Sequence, residues 1–170
     1  MALGVEDVLR ILSLVPLPGE GGYFRETYRS PLVIPAEVLP PLYTGPRNAG
    51  TAIYYLLTPE TTSRIHRLPG DEVFHFYLGD PVEMLQLHPD GETRTVIIGT
   101  DLERGMRPQV VVPAGVWQGS RLVAGGRFAL LGTTMAPGFE FEDFEHGDRA
   151  VLLEQFPEQA DLIRALTRET

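Results

Sequence analysis

Residues 62–79 read Thr62-Ser63-Arg64-Ile65-His66-Arg67-Leu68-Pro69-Gly70-Asp71-Glu72-Val73-Phe74-His75-Phe76-Tyr77-Leu78-Gly79, and this stretch decides the fold. Pro69-Gly70 ends one strand-like run and turns the chain into the next. In the second run Glu72, Phe74, Phe76 and Leu78 share one face and Val73, His75 and Tyr77 the other, because successive side chains of a strand point to opposite sides. Both faces carry aromatic or apolar groups, so the strand is expected to be covered on both sides. Glu72 is then a carboxylate among apolar neighbours, which is costly unless a cation, a metal or a proton donor meets it.

The same punctuation extends in both directions. Strand-like runs cover residues 23–30, 51–57, 64–68, 82–87, 94–98, 109–112, 117–121 and 128–134, with hairpin-type turns at Pro89-Asp90-Gly91 and Gly125-Gly126. The 18 Gly and 15 Pro residues fall between these runs rather than in one block, the pattern of a many-stranded sandwich or barrel. Val5, Val8, Leu9 and Leu12 recur at helical spacing, which predicts a helix over 5–14 that stops before Pro16. Ala160, Leu162, Ile163 and Leu166 predict a second short helix opening at Pro157. Residues 31–50 carry too many breakers for a central strand and are expected to be a long loop. The expected organisation is one domain, with residues 1–20 as helix and link, 21–145 as β-barrel, and 146–170 as C-terminal segment and helix.

A net charge of −9 on 170 residues, without a Lys or Arg stripe, argues against nucleic-acid or anionic-membrane partners. The absence of Cys removes disulfides, thiolate metal sites and cysteine nucleophiles. No basic-then-apolar leader and no membrane-length apolar run is visible, so a cytoplasmic protein is expected.

The residues of the opening stretch resemble the first sequence motif of the cupin superfamily, with His66 at the second histidine, Glu72 at the glutamate and Gly79 at the glycine. Arg64 stands at the first-histidine position. Pro113-Ala114-Gly115-Val116-Trp117-Gln118 resembles the second motif except that Gln118 replaces its histidine. Gly21-Gly22-Tyr23-Phe24-Arg25, Ile53-Tyr54-Tyr55-Leu56-Leu57, Asp71-Glu72 with His75, Gly79-Asp80-Pro81 and Phe139-Glu140-Phe141 narrow the resemblance to a small cupin-5-like branch. It implies an all-β fold, the cupin double-stranded β-helix (jelly-roll) barrel with short N- and C-terminal helices. It also implies that Glu72 faces the barrel interior and that the chain forms a homodimer.

His66 and Glu72 are the leading catalytic candidates. By alternation Arg64 lies on the side of His66 and is a candidate cation for Glu72. A divalent metal would take His66, Glu72 and the Gln118 oxygen, one imidazole, one carboxylate and one amide, which is a weak donor set for a transition metal. No cofactor is therefore firmly expected. Without metal, His66 can serve as general base. The deoxysugar-nucleotide epimerases, a distantly similar cupin group, work in that way with a tyrosine as acid, and Tyr23, Tyr28, Tyr54, Tyr55 and Tyr77 are the tyrosines considered for that role.

Arg25, Tyr55, Arg64, Phe74, Phe76, Trp117 and Gln118 are the candidate ligand-binding residues. Arg25 and Arg29 share the alternation of their strand and can clamp a phosphate or carboxylate, and Trp117 can stack on a ring. Phe139, Phe141 and Phe144, interleaved with Glu140, Glu142, Asp143 and Glu145, read as a strand or arm laid over an apolar surface, covering a sheet edge or exchanged between subunits, with closure of the barrel mouth as the alternative. The expected function is small-molecule binding, with metal-independent epimerase or isomerase action on a sugar or sugar nucleotide and His66 as base. The alternatives are a non-catalytic metabolite-binding cupin and a metal-dependent enzyme using His66, Glu72 and Gln118.

Overall fold

Two antiparallel sheets face one another in the computed structural model, which describes residues 3–168. In spatial order the first contains β1 (Val15–Pro16), β2 (Tyr23–Arg29), β5 (Thr51–Leu57), β12 (Ala129–Met135), β7 (Glu72–Gly79) and β10 (Gln109–Val112). The second contains β13 (Glu145–His146), β6 (Thr62–Arg67), β11 (Trp117–Leu122), β8 (Val82–Leu87) and β9 (Thr93–Ile98). Tyr55, Leu57, Phe74, Met84, Ile98 and Leu131 pack between the sheets as the main core.

Each sheet is also covered on its outer face. The helix α1 (Val5–Leu12) packs Val8 against Leu56, Phe128 and Leu130. On the other side, α2 (Arg149–Gln155) and α3 (Ala160–Ala165) place Leu152, Ile163 and Leu166 against Ile65, Leu85 and Leu87. Each such buried side chain contributes about 2 kcal/mol. Among the described residues no helix is long and apolar enough to cross a membrane.

The C-terminal segment departs from its sequence reading. α2 is a separate helix, capped by Asp148, whose carboxylate accepts from the Val151 N–H at 3.0 Å. It stops at Phe156 because the residue before Pro157 is pushed out of the helical region. The loop over 31–50 contains the two-residue strands β3 (Val33–Ile34) and β4 (Arg47–Asn48), which pair with each other, and a one-turn 3-10 helix at Ala36–Val38.

Three register shifts break the simple alternation. They fall between Glu26 and Tyr28 in β2, between Ser63 and His66 in β6, and between Phe76 and Leu78 in β7. In each case two steps on one strand oppose three, or one opposes two, so the extra residue rotates the side chains beyond it. The first two determine what faces the barrel interior.

Candidate functional site

β6 and β11 place His66 directly opposite Gln118, and β7 brings Glu72 beside them; all three side chains are buried. His66 Nδ1 lies 2.7 Å from the Arg64 carbonyl, a contact only a protonated Nδ1 satisfies, so Nε2 of the neutral ring is an acceptor. Gln118 Nε2 is 2.8 Å from that Nε2 and 3.0 Å from Glu72 Oε2. Its two N–H groups therefore donate one to each. Turning the amide would set its oxygen against the lone pair on Nε2.

The Glu72 carboxyl is pushed up to about 8, first by burial and then by the neighbouring Glu20 carboxylate. Hydrogen bonds from Thr133 and Gln118 act the other way and do not offset this. At neutral pH, Glu72 is thus predominantly a neutral acid with a proton to donate. Glu20 accepts from Ser63 Oγ at 2.7 Å, and its other oxygen is 4.0 Å from His66 Nε2.

These groups open onto a cavity of about 70 Å³. His66, Glu72, Glu20 and Thr133 line its buried part, and Phe24, Phe139, Phe141, Glu26, Arg29 and Glu140 its more exposed part. The Phe144 ring stacks on His66 at 4.3 Å between centroids and 20° between planes. Residues 139–145 therefore lie over the barrel opening.

Several sequence candidates stand elsewhere. Alternation placed Arg64 with His66, but the bulge in β6 puts Ser63 on that side instead. The Arg64 N–H donates to the Glu20 carbonyl at 3.0 Å and its guanidinium to the Gly19 carbonyl at 2.8 Å, so the charged neighbour of His66 is Glu20. Alternation also aligned Arg25 with Arg29. The bulge in β2 separates them: Arg25 turns out to the Leu12 carbonyl at 3.2 Å, while Arg29 lines the cavity.

Arg29 is not free to clamp an anion, because all five of its N–H groups are directed at Glu26, Glu140, Asn48 and the Phe139 carbonyl. Phe74 and Phe76 pack in the core between the sheets. Trp117 points away from Gln118, under the Arg67 guanidinium at 4.4 Å and against the C-terminal helices. The Tyr55 hydroxyl donates to the Gly21 carbonyl at 2.9 Å, and none of the five tyrosines considered as acids lines the cavity. His75 meets Thr134 and Gln109 on the outer face of its sheet.

Glu20 escaped the sequence reading because it sits in a loop without periodicity. Its signal is being the one charged residue in Pro16-Leu17-Pro18-Gly19-Glu20-Gly21-Gly22. Gly22 has φ of 71°, and a Cβ there would lie 2.8 Å from the Tyr55 hydroxyl, so this close approach of loop to strand requires glycine.

His66, Glu72 and Gln118 are not arranged as a ligand set here. Among the described residues no group of three or more His, Cys, Asp or Glu side chains stands at ligating spacing. The third position is the Gln118 amide, which presents N–H groups rather than its oxygen to His66 and Glu72.

The profile of a family described as "Cupin superfamily (DUF985)" matches residues 6–147. The uncharacterised Saccharomyces cerevisiae protein YML079W is 35% identical over 134 aligned residues, with 73% of this chain and 66% of that one covered. This chain therefore spans slightly less than two thirds of that relative. Two solved structures are similar nearly end to end. Protein SO0799 from Shewanella oneidensis is 33% identical with a TM-score of 0.86, covering 99% of this chain and 100% of that one. A hypothetical protein from Leishmania major is 33% identical with a TM-score of 0.87, covering 98% and 100%. A structure of Bacillus subtilis oxalate decarboxylase reported for its Mn(II) centers is 13% identical with a TM-score of 0.53, over 94% of this chain and 39% of that one. That likeness shows the fold alone.

Proposed function

The chain belongs to the cupin superfamily, in the family described as DUF985, and on that premise we propose that its barrel binds a small polar carbonyl compound and moves a proton on it, as an epimerase or isomerase does. The observation that carries this reading is the Gln118 amide joining a histidine lone pair to a carboxylic acid in one buried cluster. Two groups with opposite proton roles side by side are what acid–base catalysis next to a carbonyl needs.

His66 Nε2 takes the proton from the carbon next to the carbonyl, and the charge develops on the carbonyl oxygen. The Glu72 O–H donates to that oxygen. Glu20, 4.0 Å from Nε2, stabilises the imidazolium that forms. Return of that proton from His66 to the neighbouring carbon gives isomerisation; epimerisation takes a proton from water on the opposite face, since none of the tyrosines considered as acids lines the cavity. Gln118 must release Nε2 when substrate enters and can keep its bond to Glu72. Arg29 is saturated and four glutamates line the cavity, so among the described residues no uncommitted cation there meets a diphosphate, which favours a sugar-like carbonyl compound over a sugar nucleotide.

A non-catalytic metabolite binder is the second reading, favoured by the Phe144 ring that covers His66. Proton exchange separates the two. Small hydroxy- and amino-carbonyl compounds incubated with the protein in D2O should lose their α-proton NMR signals. The His66→Asn variant should lower that rate about 100-fold or more while keeping the ligand-induced rise in melting temperature. A wild-type protein that binds such compounds and exchanges no proton sinks the catalytic reading and leaves the binder.

A further inference from the structure

The exposed part of the cavity is walled by Phe24, Phe139 and Phe141, in a chain with only 8 Phe in all. Phe24 and Phe141 meet at 85° with centroids 6.4 Å apart, and Phe139 and Phe141 at 78° and 5.1 Å. Both are edge-to-face contacts, so the rings stand round the cavity mouth at angles rather than in a parallel stack. A phenyl face carries the negative end of the ring quadrupole, so a face left uncovered by a neighbouring edge attracts a cation.

The charges behind the rings have the same sign. Glu20, Glu26, Glu72 and Glu140 line the cavity against the single guanidinium of Arg29. Arg29 holds both Glu26 and Glu140 and offsets one of them. Glu20 has Ser63 and the His66 ring as neighbours, neither a fixed cation. With Glu72 neutral, the lining keeps an excess of negative charge facing a small, partly enclosed space. An anionic head placed there meets carboxylates, and a neutral one leaves the excess unbalanced.

Size sets the third condition. About 70 Å³ is under half of a cavity that holds benzene, roughly 150 Å³. The space takes a compact ligand of a few non-hydrogen atoms, with its carbonyl inward at His66 and Glu72 and its head group outward among the rings beside Phe141, which is 56% exposed.

We infer that the cavity is a recognition site for a small organic ammonium head, held between the three phenyl rings and the carboxylates of Glu20 and Glu140. This rests on reading the cavity as the ligand site and gives its substrate class: a carbonyl compound that carries an amine. The phenyl rings favour an organic cation over a hydrated inorganic one, because an alkylammonium gains apolar and ring-face contact from them and an inorganic ion does not.

The test is a titration of the full chain, followed by NMR and thermal melting at constant ionic strength. The probes are methylammonium and tetramethylammonium, the neutral tert-butanol of comparable shape, acetate and Mg2+. The expected result is that an ammonium probe binds about 10-fold more tightly than tert-butanol, and that acetate does not bind. Phe141→Leu, a change at an exposed position that keeps bulk and removes the ring face, and Glu20→Gln should each remove most of that preference. Equal affinity for tert-butanol, or preference for acetate, overturns the ammonium inference and leaves the cavity reading in place. Binding of Mg2+ in preference, lost in Glu20→Gln but not in Phe141→Leu, makes the site one for an inorganic cation and also overturns it. Failure of every probe overturns the inference and the cavity reading together.

Discussion

Replacing Glu72 by Gln should raise the melting temperature by roughly 10 °C at pH 8.5 and change it little near pH 4. The Glu72 carboxyl stands at about 8 in the folded chain against an ordinary 4.5, because burial and Glu20 disfavour its charged form. Between those two values the folded state holds a proton that the unfolded state has released. The stability from the neutral acid is therefore fully present below 4.5 and is lost as pH rises through about 8. Each unit of difference corresponds to about 1.4 kcal/mol, so the loss is on the order of 4 kcal/mol, and a domain of this size shifts by roughly 2–4 °C per kcal/mol. Gln cannot ionise. Its oxygen accepts from Gln118 and Thr133 as the carboxyl does, and its N–H groups face a neighbourhood containing the Glu20 carboxylate. The same substitution removes the proposed acid, so proton exchange should fall while stability rises, the opposition expected where a group is kept for chemistry rather than for folding. Calorimetry of both proteins from pH 4 to 9 checks this, and a wild-type melting curve indifferent to pH over that window sinks the buried-acid reading.

The fold was legible because its signals are periodic. Alternation over residues 72–78, glycine and proline between strands, and two cupin-like motifs all depend on residue type at fixed spacing, and the jelly-roll barrel follows from them. The buried cluster was legible for the same reason: His66, Glu72 and Gln118 lie on strands whose pairing brings them together. What surrounds the cluster was not. A bulge inserts one residue without a compositional mark, and after it every side chain changes face, which is how Ser63 replaced Arg64 and how Arg25 parted from Arg29. Glu20 and Phe139 reach the cavity from segments without regular spacing, so their positions depend on tertiary docking. The amide of Gln118 posed a different difficulty. Which of its two ends faces His66 follows from the Arg64 carbonyl that fixes the imidazole tautomer, a contact invisible in the sequence.

Arg47 is expected to be the strongest single anchor of the segment over the barrel opening. Its guanidinium is 1% exposed and pairs with Asp143, 5% exposed, and with Glu142 at 2.8 Å; the Pro46 carbonyl takes a further N–H at 2.9 Å. Arg47→Met should cost about 3–5 kcal/mol, because it leaves the Asp143 carboxylate buried without its cation. The comparison is Arg67 with Glu145, a pair 40% and 55% exposed, where the Met variant also loses the contact with Trp117 and should still cost less, about 1–2 kcal/mol. Removing both charges, Arg47→Met with Asp143→Leu, should recover most of the loss, since no buried unpaired charge then remains and Glu142 is 58% exposed. Consequences extend to the site because Phe144 follows Asp143 directly and lies on His66. In Arg47→Met the ring-current shift that Phe144 imposes on the His66 ring protons should shrink, and small ligands should enter the cavity faster; in Arg67→Met neither should change much. Denaturant unfolding and NMR of the three variants decide the matter. Equal destabilisation by the Arg47 and Arg67 substitutions would show that the segment is held by its phenyl rings and backbone, with the buried ion pair incidental to closure.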